Sequence, residues 1–252
     1  MLEQQVEIEV VRKAFITAKG ESPKVLVVGD LMLDQYIWGV AERISPEAPV
    51  PVVRQSGKSE RSGGSANVAE NLSGLGITTY LSGYIGFDPE GDRLMGMLKS
   101  SDINTDYLVR ISDRPTITKT RVVVQHQQML RLDQESVEKY SNEEREQLLG
   151  GILGLLEEQS FHAVILSDYA KGVLDEEICQ TIIQTARQKN IFILVDPKGR
   201  DYEKYRGANT MTPNLREVAD ACSVSSYDTA AILVGADTLR QTGLGLYCRH
   251  SQ

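Results

Sequence analysis

Histidine, cysteine and tryptophan are scarce here, at three, three and one in 252 residues. The histidines (His126, His162 and His250) stand far apart and match no metal-ligand spacing. Cys179, Cys222 and Cys248 are widely separated and odd in number, which suggests neither a disulfide framework nor a zinc site. A lone Trp38 among a few scattered tyrosines makes no stacking platform for bases. Basic charge is also short: 27 Lys and Arg against 35 Asp and Glu leave a net −8, which argues against a nucleic-acid partner. A few local cations and amides can still hold a small phosphate. No apolar run nears the roughly 20 residues that span a bilayer. The opening MLEQQVEIEVVRKAF mixes charges and lacks a signal-peptide pattern, so the chain reads as cytoplasmic, with no membrane partner. Neither GxxxxGK[ST] nor GxGxxG occurs, which leaves a P-loop NTPase and a Rossmann dehydrogenase without support.

What is present alternates. KVLVVGD from Lys24, AVILSDY from Ala163 and IFILVDPKG from Ile191 are short apolar runs suited to strands buried on both faces. Helical patterns lie between them. The stretch from Ser141 opens with a capping box, Ser141 with Glu144, and the stretch from Asp175 runs from carboxylates to cations. A leading helix is expected over residues 4–18. The order implies an α/β parallel sheet with helices on both sides. Two stretches break the rhythm. YIWGVAERISPEAPVPVVRQ from Tyr36 holds three prolines and suits a sheet edge or extended chain. TITKTRVVVQHQQMLRLD from Thr116 alternates and turns near His126-Gln127, as a β-hairpin does. Together they predict a small antiparallel flap.

Several motifs carry chemistry. RSGGSANVAENLSGLG from Arg61 sets Gly63 and Gly64 before a polar turn and a following helix rich in Ala and Leu, with Asn67 able to donate to and accept from hydroxyls; the glycines suit either close approach to a ligand or tight helix–strand packing. Asp30 and Asp34 stand beyond the first strand, where ligands bind open α/β sheets, and each suits either sugar hydroxyls or a turn cap. Asp168, Tyr169 and Lys171 end a second strand, and Asp196 and Lys198 a third. These pairs would form either a phosphate and metal neighbourhood or surface ion pairs. Asn214 and Glu217 have first-turn spacing; Glu217 would organise water around magnesium or simply complement the helix dipole.

In that order, GDLMLD, SPEAPVPV, GGSANVAENLSGLG, TITKTRV, LSDYAKG, DPKG and TPNLREV strongly resemble the PfkB, or ribokinase-like, carbohydrate kinases over roughly Lys24 to Ala221. More narrowly, they resemble the D-glycero-β-D-manno-heptose-7-phosphate kinase branch, found alone or as the first half of a bifunctional lipopolysaccharide-core enzyme. The resemblance implies one ribokinase-like domain over residues 1–252, with lid segments at about 36–58 and 115–133. It implies ATP and Mg2+ as cofactors and phosphoryl transfer to the anomeric hydroxyl of heptose 7-phosphate, on the route to ADP-heptose. Asp34, Gly63, Gly64 and Asn67 would hold sugar hydroxyls. Lys171 and Lys198, with Arg121 or Arg131, are candidates for the substrate's own phosphate. Asn214 and Glu217 would serve the nucleotide, Glu217 reaching magnesium through water. Homodimerisation through the lid strands is also expected.

The family's base lies in a late Asp-x-x-Gly-Ala-Gly-Asp turn. Gly235-Ala236-Asp237 has neither the extra glycine nor the preceding strand, and DTAAILVGADTLRQTG from Asp228 reads instead as an amphipathic helix. The domain is therefore expected to be incomplete, with no catalytic base among its 252 residues and poor transfer or none. The alternatives are a non-catalytic sugar-phosphate-binding or dimerisation protein, and a PfkB kinase acting on ribose, fructose or a nucleoside.

Overall fold

The computed structural model describes the backbone of residues 23–241 and the side chains of 23–237; the expected leading helix at 4–18 lies outside them. Strand β1 (Lys24–Gly29) leads into β2 (Leu31–Ile44), which returns as β3 (Pro51–Gly64) and enters α1 (Ser65–Gly74). Then come β4 (Thr78–Gly86), α2 (Pro89–Ser100), β5 (Leu108–Ile111) and the strands β6 (Thr118–Val124) and β7 (Gln127–Gln134). The last stretch alternates α3 (Asn142–Glu158), β8 (Ala163–Ser167), α4 (Glu176–Gln188), β9 (Phe192–Asp196), β10 (Thr210–Met211), α5 (Leu215–Ala221) and α6 (Thr229–Gln241).

The apolar runs form the body. β1 pairs in parallel with β4 on one side and β8 on the other. The six-stranded parallel sheet runs β10-β9-β8-β1-β4-β5. Successive side chains of a strand face opposite ways, and β1 feeds two cores accordingly. Leu26 and Val28 join Leu148, Ile152 and Leu155 of α3 and Ile178 and Ile182 of α4. Val25 and Val27 join Ala66 and Ala69 of α1 and Leu94 and Leu98 of α2. Burying each such Val, Leu or Ile side chain contributes about 1.5–3 kcal/mol.

The helix signals act locally as the sequence suggests. Ser141 Oγ accepts from Glu144 N–H while Glu144 Oε2 accepts from Ser141 N–H, closing the capping box of α3. Asp175 caps α4 by accepting from Ile178 N–H at 2.9 Å. Asp228 accepts from Ala231 N–H at 3.0 Å, starting α6 as an ordinary helix.

The flap is a second sheet of four strands in the order β3-β2-β6-β7. Two antiparallel hairpins, β2/β3 and β6/β7, are joined by parallel pairing of β2 with β6. Proline placement follows from its missing N–H: Pro46 and Pro49 lie in the hairpin tip, and Pro51 is the first residue of the outer strand β3. The second hairpin turns on Gln125 and His126, both with positive φ (48° and 68°), one residue earlier than its sequence suggests. Such a two-residue turn matches the twist of its flanking strands. The flap is rooted in the body, because Leu31 and Leu33 at the start of β2 are buried in the α1/α2 core.

Candidate active site

The strand order reverses direction at β1 and β8: the chain moves outward through β4 and β5 on one side and through β9 and β10 on the other. Open parallel sheets bind ligands beyond the carboxyl ends of the strands at such a point. Packing there is close. A Cβ at Gly29 would fall 2.0 Å from the Ser167 carbonyl oxygen, and one at Gly64 (φ 60°) would fall 2.2 Å from the Asp30 carbonyl oxygen.

Asp30 is fully buried and organises the turn after β8. Its Oδ2 accepts from the N–H groups of Tyr169 (2.8 Å) and Lys171 (3.1 Å), and its Oδ1 from Val173 N–H (3.2 Å). Its carbonyl oxygen accepts from Ser65 N–H (3.0 Å) at the start of α1. Burial pushes the Asp30 carboxyl above its usual range, the three amides oppose that, and nearby Asp168 adds to it. Asp168 holds the turn from the other side. Its Oδ1 accepts from Ala170 N–H (2.6 Å), and its Oδ2 from Tyr205 Oη (2.6 Å) and Lys204 Nζ (2.6 Å). The amides of residues 169, 170, 171 and 173 are thus committed to protein carboxylates. The turn offers side chains to a ligand, notably Tyr169 and Lys171.

Opposite the turn stands one face of the flap. Residues directly across a ladder share a face, so Arg61, Asp34, Lys119 and Asp133 form one row across β3, β2, β6 and β7. Two residues along, Ser59, Tyr36, Arg121 and Arg131 form the next. Arg121 Nη1 donates to Asp34 Oδ1 at 2.5 Å, which raises the guanidinium pKa, and it lies over the Tyr36 ring at 5.3 Å. A Cβ at Gly63 would fall 2.6 Å from Asp34 Oδ2, so glycine there leaves the carboxylate room. Arg131 forks onto Asp133 at 2.8 and 2.9 Å, and Lys171 Nζ reaches Glu135 at 2.6 Å. Asn67 is exposed in the first turn of α1, which starts without a side-chain cap.

Lys198, Asn214 and Glu217 form a separate group past β9 and β10. Glu217 Oε2 accepts from Asn214 N–H and Asn214 Oδ1 accepts from Glu217 N–H, both at 2.9 Å, a second capping box. The remaining oxygen, Oε1, pairs with Lys198 Nζ at 2.8 Å. The structure therefore places Lys198 beside Glu217, away from the Lys171–Glu135 pair. Tyr169 stands between the two groups: burial raises its phenol pKa first, followed by Asp196, Asp34, Glu217 and Asp30. Among the described residues no group of three His, Cys, Asp or Glu side chains could cage a metal.

Gly235-Ala236-Asp237 lies inside α6, which packs on α5 through Ile232, Val218 and Ala219. A Cβ on Gly235 would fall 2.5 Å from Cys222 Sγ. That glycine serves helix contact; it opens no anion hole.

The model of the pfkB family of carbohydrate kinases matches residues 22–245. This chain belongs to that family. It is 53% identical over 218 residues to the bifunctional protein HldE of Methylobacillus flagellatus, covering 86% of this chain and 44% of that protein. With HldE of Pasteurella multocida it shares 48% over 228 residues, covering 90% and 46%. The chain thus spans about half the length of these relatives. Among solved pfkB-like folds, the Arabidopsis thaliana ribokinase complexed with ribose and ATP superposes with a TM-score of 0.66 at 15% identity, covering 90% of this chain and 72% of that one. A possible 1-phosphofructokinase of Thermotoga maritima gives 0.71 at 18% identity, covering 90% and 72%. At these identities the likeness establishes the ribokinase-like fold.

Proposed function

We propose that this pfkB chain acts on D-glycero-β-D-manno-heptose 7-phosphate, using ATP, to form heptose 1,7-bisphosphate for ADP-heptose and lipopolysaccharide-core synthesis in the cytoplasm. The observation that carries the reading is the cationic flap face, with Asp34 at its centre, set over the carboxyl ends of β1 and β8. Kinship to the HldE proteins and the ordered motifs narrow the sugar to a heptose.

In this reading the flap is a lid. Asp34 accepts from sugar hydroxyls, Gly63 and Gly64 let the backbone come close, and Asn67 adds a donor and an acceptor. Asn214 and Glu217 serve the nucleotide side. With both oxygens engaged, Glu217 fits a magnesium ion only through water, as that ion's preference for retaining waters allows. Bound MgATP supplies the transferable group and charge neutralisation. The anomeric oxygen bonds to the γ-phosphorus, the bond to the β–γ bridging oxygen breaks, ADP leaves and the hydroxyl proton passes to a base. Asp237, on α6, is not placed in a Gly-rich turn for that role, so the 252-residue chain is read as slow. Losing a general base lowers rates by about 10²–10⁴-fold. A second copy is read as covering the outer lid face, where Leu130 and Leu132 are 46% and 57% exposed beside Ile37 and Val122. No helix among the described residues is long and apolar enough to cross a membrane.

Calorimetry and an ADP-release assay on the purified chain test this, with heptose 7-phosphate, ribose and fructose 6-phosphate as ligands. Tightest binding of heptose 7-phosphate with little ADP release is expected. Preference for another sugar would remove the heptose assignment, and brisk ADP release would remove the slow-transfer reading. Binding with no turnover even at high enzyme concentration would favour a non-catalytic binder. Sedimentation of Leu132→Glu against the wild type tests the dimer.

A further inference from the structure

We propose that Lys119 is the residue that selects a phosphorylated sugar, its ammonium on the inner lid face being the primary contact for the substrate's own phosphate. This rests on reading the cleft as a sugar-phosphate site and adds a residue that the ordered motifs do not single out.

The argument is one of competition. Of the cations on the inner lid face and the turn opposite it, Arg121, Arg131 and Lys171 each already hold a carboxylate, as Lys198 does on the nucleotide side. Arg61 holds none among the described residues, but it is exposed and lies over the Tyr36 ring at 5.9 Å. Arg121 pairs with Asp34 at 2.5 Å, Arg131 with Asp133 at 2.8 Å, Lys171 with Glu135 at 2.6 Å and Lys198 with Glu217 at 2.8 Å. To bind phosphate there, the ligand must share the cation with a protein carboxylate that repels it, or displace that carboxylate. Lys119 differs: among the described residues no carboxylate lies within ion-pair distance of its Nζ. It is half-buried, and its electrostatic neighbours include the cations Lys171 and Arg131 as well as Asp34 and Asp133. Burial first and Lys171 second hold its pKa below the usual lysine range, so the protein's own groups under-compensate its charge. A phosphate would supply the missing counter-charge to Lys119 while drawing on Lys171 next to it.

Register fixes the rest. Lys119 lies directly across the ladder from Asp34, so one molecule would span a hydroxyl acceptor and a phosphate cation on adjacent strands. The other neighbour of Lys119, Asp133, is held by the Arg131 fork. It therefore stands beside the site without neutralising it.

The test uses the full chain and calorimetry with two matched pairs, heptose 7-phosphate with heptose and fructose 6-phosphate with fructose. For Lys119→Gln the Kd of a phosphorylated ligand should rise about tenfold to a hundredfold, the range for a lost charge-assisted hydrogen bond. The Kd of the unphosphorylated partner should stay within about twofold, and Lys119→Arg should recover most of the loss. Equal weakening of both members of a pair, or no weakening, would overturn the assignment of Lys119 while leaving the heptose reading intact. If the wild type prefers fructose 6-phosphate and Lys119→Gln abolishes that preference over fructose, the heptose reading fails and Lys119 stands. If neither phosphorylated ligand binds better than its parent sugar, both fail.

Discussion

The body and the lid both carry paired charges, and they use them in opposite ways. In the body, Asp30 and Asp168 are buried and face mainly backbone amides, a lysine and a tyrosine that cannot leave. In the lid, side chain meets side chain near solvent, as with Arg131 and Asp133 at 50% and 26% exposure. Buried carboxylates with satisfied hydrogen bonds act as scaffold, and removing one leaves amides unpaired. Exposed ion pairs contribute at most about 1 kcal/mol to stability, so the fold survives the loss of one. The contrast separates what builds the site from what, in the proposed reading, would answer a ligand.

The sharpest way to break that contrast is Asp30→Ala. Three N–H groups, one buried and two part-buried, lose their acceptor, so urea unfolding should show a loss of about 2–4 kcal/mol; a loss below about 1 kcal/mol would mean the turn does not depend on Asp30. Next is Gly235→Ala in α6. Alanine gains about 1 kcal/mol in helix propensity, but the new methyl crowds Cys222, and overpacking costs about 1–3 kcal/mol. Net destabilisation of about 1 kcal/mol is expected, relieved only in part in the double variant with Cys222→Ala, because the Cys222 Cβ would still stand 2.8 Å from the new methyl. If Gly235→Ala instead stabilises, α6 does not pack on α5 as closely as described.

A pH experiment probes the junction of body and lid. Asp88 accepts from Gly91 N–H (2.7 Å), Thr116 N–H (2.6 Å) and Thr116 Oγ1 (2.7 Å), tying the start of α2 to the entry of β6. Burial alone would raise its pKa, yet the hydrogen bonds from Thr116 and Gly91 outweigh burial and lower it. A depressed carboxylate pKa stabilises the fold above its unfolded value, and the stability is lost as pH falls through the folded value. Thermal melts of wild type should therefore drop faster on acidification than those of Asp88→Asn; parallel profiles would remove Asp88 from the junction. The smallest effect belongs to Arg131→Gln, whose melt should shift by the equivalent of 1 kcal/mol or less. A larger loss would show that the lid pairs are scaffold as well.

Much of the body was legible because its signals are local. Val25 to Val28, Val164 to Leu166 and Ile193 to Val195 are apolar runs, and the Ser141–Glu144 box is complete within four residues. β4 was not, since Ser82 and Gly83 interrupt its apolar pattern; Ser82 is nonetheless buried, donating to the Tyr107 carbonyl at 2.9 Å. The site was less readable than the fold because its bonds are non-local. Asp30 meets amides more than 130 residues further along the chain. Within TITKTRVVV, Lys119 and Arg121 alternate as any half-exposed strand residues do. Only the strand register sets one beside Asp34 and Asp133 and the other on Asp34 itself. The Asn214–Glu217 spacing was visible, but its pairing with Lys198 needed the fold.

β2 begins inside the body core at Leu31 and runs unbroken to the far end of the lid. Because Asp34 and Lys119 sit on hydrogen-bonded neighbours, tilting that ribbon carries both together and leaves their separation unchanged. Should the flap close on a sugar as proposed, it would act as a gauge: approaching or retreating from the nucleotide side, it would still measure the same length of sugar.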